Sequence, residues 1–223
     1  MVLDVETTGG SPQDAALIEV GAVAFAGGEP LEMFESLVDP GSAVPPFVTE
    51  LTGITDDMVR CALPPCSVLP CLRDLIGHGV VVGHNVEFDL GFVDAGLVRL
   101  GLPPLDNLVV DTLALARRLV RDLAPDCALR TLAVALRLEH QPSHRALDDA
   151  LATADLLHRL IEAATGYGVL CLGDLLALPD RLSPIPLSAV GSLVSPHGGQ
   201  PSAAGRAAGR LPRTGAAATL APA

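Results

Sequence analysis

Several acidic side chains in this 223-residue chain recur at spacings that could bring them around one point. Asp4 and Glu6 are two residues apart in the strand-like segment VLDVE. Alternate residues of a strand leave the same face, so these carboxylates stand side by side. Such a pair repels when ionised and costs stability unless a proton or a cation neutralises it. The TTGGSP that comes next is a polar turn open to the backbone of a ligand. In VVVGHNVEFDLGFV, residues 80–93, an apolar strand ends at Gly83, and His84 and Asn85 form a polar edge. Asp89 falls near the start of a helix in which Phe88 and Phe92 are an i, i+4 pair. In SHRALDDALATADLL, residues 143–157, His144 and Asp149 are five apart, about 140° around an ideal helix. Both can face one site only if His144 belongs to the preceding loop, which Pro142 favours. Taken singly, each acid has a structural explanation: an exposed strand face, or a helix start where the macrodipole favours negative charge.

These residues need a scaffold. ALIEVGAVAF (16–25) and LEMFESLV (31–38) read as strands around the Gly27-Gly28 turn, a hairpin beside VLDVE. Pro45-Pro46 introduces FVTELTGITDDMV, and helical patterns continue around 67–77, 87–100, 112–122, 129–137 and 145–164. Short apolar strands, GVVVG at 79–83 and LVVD at 108–111, lie among them. Antiparallel strands followed by alternating strands and helices predict an α/β fold, a mixed sheet flanked by helices. In the 145–164 helix Leu147, Ala150, Leu151, Ala154, Leu157 and Ile161 recur at helical spacing, so one side packs on the sheet. Residues 1–165 are expected to form one domain and 166–182 a helical connector. Residues 183–223, rich in Pro, Gly, Ala and Ser and free of acids, are expected to be a disordered tail.

Together, Asp-x-Glu-Thr-Thr-Gly, Gly-His-Asn-x-x-Phe-Asp and His-x-Ala-x-x-Asp, in this order, are far more specific than any one part. The chain resembles the DEDD exonucleases of the histidine subtype, the superfamily of the proofreading epsilon subunit of bacterial DNA polymerase III, ribonuclease T and oligoribonuclease. The resemblance covers roughly residues 1–165 and extends to ELTGITDDMV (50–59) and VDTLALAR (110–117). It implies a ribonuclease H-like fold and removal of nucleoside 5′-monophosphates from the 3′ end of DNA or RNA. It also implies that Asp4, Glu6, Asp89 and Asp149 bind metal and that His144 is the catalytic histidine. Thr7 and Thr8 then lie near the terminal nucleotide, Leu51 and Ile54 near its base, and Asn85 and Phe88 along the adjoining strand. GYGVLCLGDLLALPDRLSP, from 166 onward, is similar to the connector after the exonuclease domain in bacterial proteins with a second, GIY-YIG type nuclease domain.

Charge and composition agree with that implication. A net charge of -12, with all 14 basic residues arginine, excludes a protein that grips nucleic acid by bulk positive charge. Two Mg²⁺ ions carry the charge that four carboxylates lack, and hard oxygen donors suit Mg²⁺ or Mn²⁺ better than zinc. A zinc pair of His140 and His144 is disfavoured by Pro142 between them. Aromatic residues amount to 3%, too few for a long stacking groove, so a short grip on a 3′ end is expected. With neither a signal peptide nor an apolar run of membrane length, the expectation is a cytoplasmic protein acting on a single-stranded or frayed 3′ end, alone or with a DNA polymerase or repair complex. RNA trimming and a weakly active accessory module are the alternatives.

Overall fold

Alternating apolar and acidic residues make VLDVET a strand. In the computed structural model, which describes residues 1–179, it is β1 (Val2–Thr7). β2 (Leu17–Ala26) and β3 (Glu29–Leu37) form the antiparallel hairpin, turning at Gly27 and Gly28 with φ of 63° and 90°. Both values lie in the left-handed region that glycine enters without a Cβ penalty. The FVTELTGITDDMV segment is two short helices, α1 (Pro46–Thr52) and α2 (Asp56–Arg60). Gly53 ends the first at φ 74°, and the Thr55 side chain caps the second by accepting from the Met58 N–H.

Next along the chain are α3 (Pro65–Ile76), β4 (Val81–Gly83), α4 (Val86–Arg99), β5 (Val109–Asp111) and α5 (Thr112–Leu119). A 3₁₀ turn (Arg121–Leu123) leads to α6 (Leu129–Leu136), α7 (Ala146–Thr165) and α8 (Leu172–Ala177). The expectations for 183–223 and for the end of the 166–182 connector lie outside the described residues.

The strand order is β3-β2-β1-β4-β5, antiparallel from β3 to β1 and parallel from β1 to β5. This is the mixed sheet that the order of elements implied. Its two faces are separately packed. Val2, Val23, Val82 and Val110 face α5, α6 and α7, whose Leu115, Leu132 and Leu156 complete one apolar layer. Leu3, Val5, Val20 and Val81 face α3 and α4, with Leu69, Leu72, Phe92 and Leu97. A third cluster of Ile18, Val44, Val48, Ile54 and Val59 seats α1 and α2. Among the described residues, no helix is long and apolar enough to cross a membrane.

Two irregularities set the surroundings of the β1 acids. β1 pairs with β4 only at Val2 and Val82, and β4 stops at Gly83, so β1 outruns its parallel neighbour. The β1–β2 register also shifts between Glu6 and Thr7, where Glu6 faces Glu19 but Thr7 faces Leu17. Ile18 is thus an extra residue on β2, a bulge that bends the strand beside the acids of β1.

Candidate active site

Asp4 and Glu6 share the sheet face of Val2, the face covered by α7. The first turns of α7 bring Asp149 over them. Ligand atoms of Glu6, His144 and Asp149 all lie within 4.8 Å of one another. Asp89 arrives from the opposite layer. It sits in the first turn of α4, and its Oδ1 accepts the Val5 N–H at 3.0 Å. That N–H belongs to the part of β1 with no β4 partner, so a carboxylate replaces a missing ladder bond and ties α4 to the strand edge.

The packing leaves the four acids in an electrostatic conflict. Burial, then repulsion from Asp89, Asp149, Glu6 and Glu19, raises Asp4 well above the ordinary carboxylate range. Burial, then Asp149 and Glu19, pushes Glu6 up to about 7, with Arg145 opposing the rise. Burial pushes Asp89 up to about 8 despite the bond from Val5. Burial also raises Asp149, against the bonds it accepts from the loop before α7. Carboxylates driven to hold protons near neutrality are equally driven to hold a cation, which relieves the same repulsion. The donors are hard oxygens, so the set fits Mg²⁺ or Mn²⁺.

His144 lies in the loop before α7, with φ of 61°. Asp149 Oδ1 accepts the Ser143 N–H at 2.8 Å and the His144 N–H at 3.2 Å, so one carboxylate fixes the loop that carries the imidazole. A second anchor comes at once. Arg145 Nε donates to both carboxylate oxygens of Glu19, at 3.0 and 3.1 Å, and the Ala146 N–H donates to Glu19 Oε2 at 2.9 Å. Glu19 is fully buried on β2, directly opposite Glu6. Two residues on, Gly21 lets the start of α7 lie against the strand, since a Cβ there would stand 2.2 Å from the Ala146 carbonyl carbon. Glu19, Gly21 and Arg145 were not among the expected site residues. The available signal was one charge inside the apolar run ALIEVGAVAF.

The expected substrate contacts divide. Thr7 donates its hydroxyl to the Gly9 carbonyl at 2.7 Å, and the Thr8 hydroxyl accepts the Ala16 N–H at 2.9 Å, so both shape the loop after β1. Leu51 is exposed on α1, and Asn85 and Phe88 are exposed at the start of α4. Phe88 leans on Phe92, with ring centroids 5.1 Å apart. Ile54 is not brought to the site. It is fully buried in the cluster under α1 and α2 and has no surface to offer a base.

Comparison with known proteins places these features. The exonuclease family of ribonuclease T type matches residues 1–157. A Mycobacterium tuberculosis protein named as a bifunctional exonuclease/endonuclease is 43% identical over 177 residues, 76% of this chain and 27% of that one. The PolC-type DNA polymerase III of Oceanobacillus iheyensis is 42% identical over 162 residues, 73% of this chain and 11% of the polymerase. The chain therefore spans about a quarter or less of these relatives. Exonuclease X, solved with 5′ overhanging duplex DNA, superimposes with a TM-score of 0.63 at 23% identity, over 80% of this chain and 98% of that one. E. coli exonuclease I, solved with a dA16 oligonucleotide, gives 0.64 at 20% identity, over 74% and 40%. These two likenesses establish a common ribonuclease H-like fold.

Proposed function

The chain belongs to the exonuclease family, within the DEDD exonuclease superfamily, and on that premise we propose that it is a metal-dependent 3′–5′ exonuclease acting on DNA. It hydrolyses the terminal phosphodiester of a single-stranded or frayed end and releases nucleoside 5′-monophosphates, in proofreading or repair. The observation that carries this reading is the convergence of Asp4, Glu6, Asp89 and Asp149 beside the loop histidine His144.

In this reading Asp4, Glu6, Asp89 and Asp149 hold two Mg²⁺ ions, with Mn²⁺ as a substitute. Bound there, the ions supply a lowered water pKa and positive charge for the attacking and leaving oxygens of an in-line displacement. The chain's own residues do the rest. A ring nitrogen of His144 accepts the proton of the attacking water as general base. Asp149 holds the loop that carries that ring, through the Ser143 and His144 N–H groups. Leu51, Asn85 and Phe88 are exposed and are assigned to the last nucleotides, while Thr7 and Thr8 shape the loop after β1, which is assigned to the terminal one.

DNA is preferred over RNA because the polymerase relatives and the structural neighbours are named for or solved with DNA. A polymerase or repair assembly in the cytoplasm is the corresponding partner. The test is degradation of single strands carrying a label at either end, with and without Mg²⁺, in parallel DNA and RNA series. Divalent-dependent shortening from the 3′ end with mononucleotide products is expected. Shortening from the 5′ end, or activity indifferent to divalent ions, overturns the proposal, and faster loss of RNA moves the assignment to RNA trimming.

A further inference from the structure

VDTLALAR supplies none of the four clustered carboxylates, though the charge of its Asp111 adds to the upward push on Asp89, and it builds the wall of the cavity next to them. The Asp111 carboxylate accepts the Leu113 N–H, capping α5, and also the Asn85 N–H, both at 2.9 Å. The Thr112 hydroxyl meets the Gly83 carbonyl at 3.0 Å and His84 Nδ1 at 2.9 Å. His84 Nε2 reaches the Cys127 carbonyl at 2.9 Å. The two parallel strand ends, the start of α5 and the segment before α6 are thus bonded into one rim. They enclose an open cavity of about 830 Å³, lined among others by Asn85, Leu113, Arg117, Arg121, Pro125 and Leu129.

The cavity is placed to receive a strand that leaves the acidic cluster. Asn85, on its rim, precedes Asp89 by four residues of α4, roughly 6 Å along the helix axis. Its charge also differs from that of its neighbour. Arg117 and Arg121 are exposed, and among the described residues neither is engaged in an ion pair or a hydrogen bond. Asp122 and Asp126 also line the cavity, so its arginines and acids balance, whereas the neighbouring cluster is wholly acidic. A polyanionic strand whose end lies among carboxylates needs cationic side chains further along, and a chain of net charge -12 offers few. Leu113, Pro125 and Leu129 add apolar surface for bases between those charges.

We propose that this cavity is the subsite for the upstream part of the single strand. Arg117 and Arg121 bind backbone phosphates two or more nucleotides from the 3′ terminus. The assignment rests on the exonuclease reading above and extends it from the terminal bond to the strand behind it.

The experiment compares Arg117→Gln/Arg121→Gln with the wild type on the dinucleotide pTpT and on an octathymidylate. Binding of 5′-fluorescein octathymidylate is followed in parallel by anisotropy as a function of salt. The double variant should lower the octamer-to-dinucleotide ratio of kcat/KM about tenfold. It should also flatten the slope of log affinity against log salt by about 1.4, at roughly 0.7 per single-strand phosphate contact. Arg159→Gln makes one charge change on the exposed Arg159–Glu162 pair, away from the cavity, and should leave ratio and slope unaltered. An unchanged ratio and slope in a double variant of wild-type thermal stability overturns the subsite. Failure of the wild type to degrade either oligonucleotide overturns the exonuclease reading instead, while anisotropy still reports whether the arginines bind the strand.

Discussion

Replacing Arg145 by Met removes the side chain that, among the described residues, meets the Glu19 carboxylate, leaving that fully buried group with a single backbone donor from Ala146. Breaking one side of a buried ion pair costs about 3–5 kcal/mol. The Arg145 side chain is 36% exposed, so water can partly take its place and the lower end applies, about 3 kcal/mol. For a domain of this size that is a fall in Tm of roughly 6–12 °C. Glu19→Gln is milder, about 1–2 kcal/mol, because the amide oxygen still accepts from Ala146 and the guanidinium can turn to solvent. In the double variant the buried unpaired charge is gone, so the two losses should fall short of additivity by about 1 kcal/mol or more. The pair also borders the proposed active site. Arg145 is the cation that opposes the upward shift of Glu6, and it comes directly after His144 in the chain. Arg145→Met should therefore lower kcat more than it raises KM. Chemical denaturation of all four proteins, with steady-state kinetics on a labelled oligonucleotide, provides the measurement. A loss below about 1 kcal/mol with kcat unchanged would refute the claim that this ion pair seats the start of α7.

The same geometry bears on pH, catalysis and packing. Without metal, Glu6 at about 7 and Asp89 at about 8, against ordinary values of 4.5 and 3.8, give the folded state more bound protons than the unfolded chain across that window. The stability they confer is present below the ordinary values and is lost as pH rises through the folded ones, so Tm in a chelator should fall from pH 5 to 8 and recover with Mg²⁺. A chelated Tm that rises over this range contradicts the acidic-cluster account. His144→Asn keeps a residue tolerant of φ 61° but removes the proposed proton acceptor, and should cost about 10²–10⁴ in kcat with little change in Tm. Gly21→Ala forces a methyl to within 2.2 Å of the α7 backbone, and should destabilise strongly or dislodge His144 and Asp149, read as a loss of both Tm and turnover.

Where residues close in sequence determine the outcome, the fold and site could be read in advance. The alternation in VLDVET placed Asp4 and Glu6 on one face, and the break at Pro142 put His144 outside the helix that carries Asp149. FVTELTGITDDMV reads as one segment in the sequence, whereas it forms two helices with Gly53 ending the first. With the chain turned at that glycine, Leu51 stays outside while Ile54 enters the core. Glu19 and Arg145 are 126 residues apart, so their pairing is a product of tertiary packing that no local pattern encodes. The same holds for Asp89, whose place near a helix start was legible but whose bond to Val5 depends on β4 ending early.

The separate packing of the two sheet faces has a consequence for how the acidic cluster comes into being. Asp149 belongs to the layer of α7 and Asp89 to that of α4, and both act on Asp4, on the strand β1 that extends past β4. Neither layer alone assembles the set, and mutual repulsion works against the last approach. In the proposed metal-bound enzyme, ions held by carboxylates from both layers would fasten one to the other, so that occupancy would also be a mechanical link across the sheet.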